Sequence, residues 1–170
     1  MITWLIGMSG SGKTSIGREL YARLKPDTPN LVFLDGDDFR EMFRNDVDHT
    51  VEGRYKNAER ISHTCRMLDA QGIHVIAAVL SIFPEWQKWN RDTFGNYFEV
   101  FLDIPMQTLI ERDVKGLYAK ALSGEMQNFV GFDIDFPLPP APDMTLNEAD
   151  QQQGIPACVD KILAHMPALK

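Results

Sequence analysis

Gly7-Met8-Ser9-Gly10-Ser11-Gly12-Lys13-Thr14 is the stretch whose reading decides the fold. It follows the apolar run Ile2-Thr3-Trp4-Leu5-Ile6 and precedes Ser15-Ile16-Gly17-Arg18-Glu19-Leu20-Tyr21-Ala22-Arg23-Leu24, whose apolar residues recur at helical spacing. A strand, a glycine-rich turn and a helix in that order separate a P-loop from a glycine turn before an ordinary helix. Glycines let backbone N–H groups wrap an anion, and the new helix adds its positive end. Lys13 can then neutralise outer phosphates while the Thr14 hydroxyl ligates Mg²⁺. The motif predicts a chain that binds a nucleoside triphosphate.

Outward from this motif, strand-like runs alternate with helical patterns, which predicts parallel βαβ units and an α/β three-layer fold. Leu31–Leu34 reads as a second strand ending in Asp35-Gly36-Asp37-Asp38. A long helix is expected from about Gly53 to Gln71, with Ile61, Cys65 and Leu68 on one face and Gly72 stopping it. Ile73–Leu80 is apolar throughout, as a strand covered on both faces should be. Tyr97–Leu102 is a further strand, followed by a helix through Arg112. Met144-Thr145-Leu146 is expected as a short last strand and Ile155–Met166 as a closing helix. Between them, residues 115 to 142 hold Gly116, Gly124, Gly131 and prolines 137, 139, 140 and 142, which reads as a mobile lid or long loop. The expectation is a single kinase domain over 1–170, with that lid at about 115–142.

Composition narrows the partners. A net charge of −7 without any basic run argues against a nucleic-acid surface. Anions must therefore be held by local cations and backbone amides. Cys65 and Cys158 are far apart and read as reduced thiols, and the four scattered histidines give a zinc site little support. No apolar run approaches the length of a membrane span and no leader is evident, so no membrane partner and a cytoplasmic location are expected.

Asp35-Gly36-Asp37-Asp38 stands at a strand's carboxyl end, where open parallel sheets bind ligands. Two carboxylates there can polarise an acceptor hydroxyl and help hold Mg²⁺, or simply cap the next helix. Arg40 follows one helical turn after Asp37. Arg54, Asn57 and Arg60 are spaced three apart and share a helix face, either an anion clamp or a solvated polar surface. Arg112-Asp113-Val114-Lys115-Gly116-Leu117-Tyr118 opens the lid with cations of the kind that phosphoryl transfer gathers round the transferred group.

Together these residues resemble the adenylylsulfate (APS) kinase family, over about residues 1 to 148. The lid string carries most of the specificity, with Glu125, Phe129, Gly131, Asp133 and Pro142-Asp143 fitting the same lid. The resemblance implies transfer of the ATP γ-phosphoryl group to the ribose 3′-hydroxyl of adenylylsulfate, in sulfate assimilation, by a homodimer. It implies donor binding by Gly7, Ser9, Gly10, Ser11, Gly12, Lys13, Thr14, Ser15 and Arg112, and Mg²⁺ at Thr14 and Asp35. Lys13, Asp37 and Asp35 would be catalytic, with the two carboxylates unranked as base. The small-molecule nucleotide acceptor would be held by Arg40, Arg54, Asn57, Ser81, Lys115, Gly116, Leu117 and Phe132.

The departures fall on the acceptor half. Ser81 is followed by Ile82, and Pro84 and Gln87 stand where the family usually has arginines. Val47-Asp48-His49 replaces Leu-Gly-Phe, and Asp133-Ile134-Asp135-Phe136-Pro137 replaces Asp-Asp-Pro-Tyr-Glu. Asp38 replaces an asparagine. Losing charged hydrogen bonds to an anion costs about 1.5–3 kcal/mol each. A second acceptor class is therefore carried alongside adenylylsulfate: a cytidine diphosphate conjugate such as cytidine diphosphoramidate, again at its 3′-hydroxyl. A guanine-nucleotide switch lacks its Asn-Lys-x-Asp string. The intact Lys13, Thr14, Asp35 and Asp37 argue against a binding module that has lost its chemistry.

Overall fold

The structure, a computed structural model, describes residues 1–113 and 115–169; Val114 of the lid string and Lys170 lie outside them. Five strands form one parallel sheet: β1 (Ile2–Ile6), β2 (Leu31–Asp35), β3 (His74–Val79), β4 (Tyr97–Asp103) and β5 (Met144–Asn147), in the order β2-β3-β1-β4-β5. Every residue of β1 and β3 is buried, Thr3 and His74 among their otherwise apolar residues, as central strands covered on both faces should be. On the edge strand β5 burial alternates, with Met144 and Leu146 inward.

Helices cover both faces. On one, α1 (Lys13–Leu24) and α8 (Ile155–His165) press Ile16, Leu20, Val159 and Ile162 against Leu5, Val100 and Leu146. On the other, α2 (Gly36–Met42) and α3 (Val51–Asp69) bring Phe39, Ile61 and Cys65 against Ile2, Ile6, Val75 and Val79. Burying each such aliphatic or aromatic side chain stabilises the fold by about 1.5–3 kcal/mol. Leu68 packs beside them, so the face read for the long helix is the buried one.

Register then sets the site. Ile6 lies level with Val79 and Phe101, and Asp35 with Ala78. The glycine-rich turn, the acidic turn and Ser81 therefore all emerge at one carboxyl edge of the sheet, flanking the reversal of strand order.

Three elements differ from expectation. The helix α4 (Pro84–Thr93) buries Gln87 and Asn90, so its inward face gave no apolar period to read, although Pro84 at its first turn is a start signal. The five-residue helix α7 (Glu148–Gln152) is closed by a capping box between Asn147 and Asp150. Within the expected lid, α6 (Leu117–Leu122) replaces a simple loop. Tyr118 and Phe129 pack there on Ile104 and on Leu109 of α5 (Met106–Arg112), giving the segment a small apolar core of its own.

Candidate active site

The glycine-rich turn needs backbone angles that side chains resist. Gly10 and Gly12 have φ of 75° and 92°, and Gly12 in that left-handed state is the residue from which α1 starts. Lys13 Nζ donates to the Met8 carbonyl at 2.7 Å, which folds its ammonium back over the loop. Burial draws its pKa down to about 8, against the pull of Asp35 and Asp37. Ser11 is buried beneath the loop, whereas Thr14 and Ser15 are exposed on the first helical turn.

The two carboxylates of the acidic turn differ in their partners. Asp35 is buried; its Oδ2 accepts from Thr14 Oγ1 at 2.6 Å and its Oδ1 from the Asp37 backbone N–H at 2.9 Å. It caps α2 and accepts from the Thr14 hydroxyl at once, so the capping role read from sequence is present. Asp37 is exposed and meets Lys115 Nζ at 2.8 Å. Burial by its surroundings pushes the Asp37 carboxyl up, but the Lys115 hydrogen bond and the charges of Lys115, Lys13 and His49 prevail and hold it below the usual range. Thr14 and Asp35 present hard oxygens of the kind Mg²⁺ accepts, and Mg²⁺ takes few protein ligands beside phosphate and water. Among the described residues no cluster of three metal-binding side chains exists.

A cavity of about 580 Å³ opens over this edge. It is lined by Ser9, Gly10, Gly12, Lys13, Thr14 and Ser15, by Asp35 and Asp37, and by Arg40, Arg54, Asn57, Ser81, Lys115 and Leu117. Gly7, Ser11, Gly116 and Phe132 do not line it. Phe132 instead packs at the rim on Phe129 and Tyr118, with ring centroids 5.7 and 6.1 Å away. Arg112 lies in a second cleft on the far side of the loop.

The cations on the other side of the cavity are engaged with backbone. Arg40 Nη1 donates to the Asp48 carbonyl at 3.0 Å, and Arg54 Nε to the His49 carbonyl at 2.8 Å. Arg54 Nη2 also reaches the Asn128 carbonyl at 2.8 Å, tying α3 to the segment expected as a lid. Asp133 makes that contact possible by accepting the N–H groups of Asn128 and Phe129. Burial lowers the His49 pKa, and the neighbouring Arg40 and Arg54 lower it further. Arg60, grouped with Arg54 by spacing, instead makes a two-pronged pair with Asp46 at 2.7 Å.

At the end of β3, Ser81 has a φ of 56°, uncommon for a side-chain-bearing residue. Gln87 Nε2 holds its carbonyl at 2.7 Å and Trp4 Nε1 its hydroxyl at 3.1 Å. Gln87, at an expected arginine position, is thus a buried support for Ser81 rather than a cation in the cavity.

Sequence reasoning missed several wall residues: Phe83, Trp86, Met126 and Val130 also line the cavity. Pro84 is a helix-start signal that could have pointed to α4, but which of its rings faces the cavity depends on how α4 packs on α3. Tyr118, known from the lid string, proves to be a tie: its hydroxyl donates to the Ser9 carbonyl at 2.7 Å.

The loop bearing His49 is pinned at Gly53. A Cβ there would stand 2.5 Å from the Asp48 carbonyl oxygen, so only glycine lets the first turn of α3 approach this closely. Gly53→Ala is expected to displace residues 48–50, cost about 1–3 kcal/mol as overpacking does, and raise the acceptor KM more than the ATP KM. Thermal melts beside two-substrate kinetics check this; an unchanged acceptor KM would show the loop is no part of the acceptor wall.

Comparison with known proteins matches this arrangement. The sequence pattern of the family described as adenylylsulphate kinase matches residues 1–147. A cytidine diphosphoramidate kinase of Campylobacter jejuni is 42% identical over 148 residues, covering 87% of this chain and 86% of that protein. An adenylyl-sulfate kinase of Marinobacter nauticus is 33% identical over 97% of this chain and 83% of its own length. Among solved structures, the Mycobacterium tuberculosis APS kinase in complex with AMPPNP and APS superposes with a TM-score of 0.85. It is 30% identical, covering 96% of this chain and 95% of its own. The chain therefore belongs to the adenylylsulphate kinase family of ATP-dependent phosphotransferases.

Proposed function

We propose that this chain transfers the γ-phosphoryl group of ATP to the ribose 3′-hydroxyl of a cytidine diphosphate conjugate of the cytidine diphosphoramidate type. The kinase part rests on the phosphate loop, the Thr14–Asp35 contact and Asp37, gathered over one cavity. For the acceptor, one observation carries the reading. Gln87 stands where the family usually has an arginine and spends its amide on the Ser81 carbonyl, so the wall beyond β3 offers an incoming anion no charge there. The Campylobacter jejuni relative, named for cytidine diphosphoramidate, is more alike in sequence than the Marinobacter nauticus kinase and supports the same direction. Adenylylsulfate, the acceptor the sequence resemblance put first, is here the second reading, favoured by Arg40, Arg54 and Asn57 on the same cavity.

In this reading Lys13 and the loop amides hold the transferring phosphates. Asp37 accepts the proton of the attacking hydroxyl, because its carboxylate is exposed while both oxygens of Asp35 are engaged. Thr14, oriented by Asp35, would hold Mg²⁺, which supplies charge neutralisation on the phosphate oxygens. Lys115 pairs with Asp37 and can turn to incoming phosphate when the lid closes. Residues 115–142 act as that lid, residues 1–170 form one kinase domain, and the working form is a homodimer.

The test is kcat/KM for cytidine diphosphoramidate against adenylylsulfate with ATP in excess. The conjugate is expected to be at least about tenfold better, the worth of one lost charged hydrogen bond. A value near 10⁶ M⁻¹s⁻¹ for adenylylsulfate, well within the range of efficient enzymes, and lower for the conjugate would establish the second reading instead.

A further inference from the structure

Gln151 lies on α7, beyond the residues 1–147 that the family pattern matches. Its side chain nevertheless joins two parts of the donor side. Oε1 accepts from Arg112 Nη1 at 2.8 Å, and Nε2 donates to the Ser11 carbonyl at 2.7 Å. A Cβ on Gly12 would stand 3.5 Å from Nε2, so the amide lies against the end of the phosphate loop.

The residue is braced from behind. Asn147 and Asp150 cap α7, Lys161 Nζ meets Asp150 at 2.7 Å, and Thr108 Oγ1 on α5 donates to Glu148 at 2.7 Å. Helix α5 is the one that ends in Arg112, so carrier and clamp are fixed to each other. Between them lies a cleft of about 210 Å³, lined by Gly12, Ser15, Arg112, Gln151 and Ile155. Gly12 and Ser15 line the main cavity too, so a nucleotide with its phosphates on the loop can extend its nucleoside end into this cleft.

We infer that Gln151 is a positioning residue for the donor nucleotide, holding the Arg112 guanidinium over this cleft and fixing the Ser11 carbonyl beneath it. An exposed arginine loses much side-chain freedom when a ligand orders it, and one already held binds with less loss. The chemistry asks for a primary amide. One end must accept from a guanidinium while the other donates to a carbonyl, and a carboxylate or an ammonium does only one of these.

The inference rests on ATP as donor and not on the identity of the acceptor. Binding of a non-hydrolysable ATP analogue, measured by calorimetry without acceptor, therefore separates its failure from that of the acceptor reading. Gln151→Ala is expected to weaken binding about tenfold. Gln151→Glu, which keeps the Arg112 contact but loses the donor to the Ser11 carbonyl, should bind more tightly than Gln151→Ala and more weakly than wild type. In an Arg112→Ala background, Gln151→Ala should add less than about twofold, since its partner is already gone. A structural role alone would weaken binding equally in both backgrounds. Equal losses there, Gln151→Ala binding within twofold of wild type, or Gln151→Glu as weak as Gln151→Ala would each overturn the proposal. Melting curves of all variants identify any that fail to fold, and the Gln151→Glu comparison then carries the decision.

Discussion

Lys13→Met is expected to lower kcat by about 10³-fold or more, the scale of losing one preorganised cation or donor at a developing charge, without lowering the stability of the free protein. The opposed effects share one cause. Lys13 is folded over its own loop, with burial drawing its pKa down to about 8 and only Asp35 and Asp37 countering. A lysine lowered from 10.5 in the unfolded chain to about 8 in the fold binds protons more readily unfolded. Its destabilising effect is therefore full below pH 8 and fades as pH rises from about 8 to 10.5. Methionine keeps the stem and removes the charge, so the variant should melt at or above the wild-type temperature at pH 7. That advantage should vanish by about pH 10.5. ATP restores the balance in the wild type, because phosphate oxygens favour the charged form. Single-turnover transfer and melting curves from pH 6.5 to 10.5 are the measurements. A variant retaining a tenth of the wild-type rate would remove Lys13 from the chemistry, and one melting well below wild type at pH 7 would refute the account of its burial.

What was legible in the sequence divides by the kind of physics involved. β1, β3 and β4 were readable because central parallel strands are apolar on both faces, and α3 because Ile61, Cys65 and Leu68 keep one face. The phosphate loop was readable because left-handed angles at Gly10 and Gly12 demand glycine. α4 was missed because it buries Gln87 and Asn90, polar residues that interrupt an apolar period; Gln87 spends its amide on the Ser81 carbonyl. Gln151 gave no signal for a different reason. A glutamine in the run Gln151-Gln152-Gln153 resembles solvated surface until α7 is folded against the loop. The two carboxylates could not be ranked from spacing, since their difference lies in which oxygens neighbours have already taken.

That difference sets the remaining large effect. Asp37→Asn should lower kcat by about 10²–10⁴-fold, the usual worth of a general base, with the affinity for an ATP analogue nearly unchanged. Asp35→Asn should behave otherwise: its oxygens hold Thr14 Oγ1 at 2.6 Å and the Asp37 N–H at 2.9 Å, so it should weaken metal-dependent ATP binding and lower the melting temperature. The pH dependence follows from the same geometry. Burial raises the Asp37 carboxyl, but Lys115, Lys13 and His49 together bring it below its ordinary value, so the folded state binds its proton less readily than the unfolded one. Its contribution to stability is present above the unfolded carboxylate pKa and is lost as pH falls through the lower folded value. The acid limb of kcat/KM should accordingly lie below the ordinary carboxylate range. Lys115→Ala removes the main partner and should move that limb upward while leaving Asp37 in place. An Asp37→Asn variant that loses ATP-analogue affinity along with rate would make Asp37 a metal-side group. An acid limb unmoved by Lys115→Ala would mean that another group takes the proton.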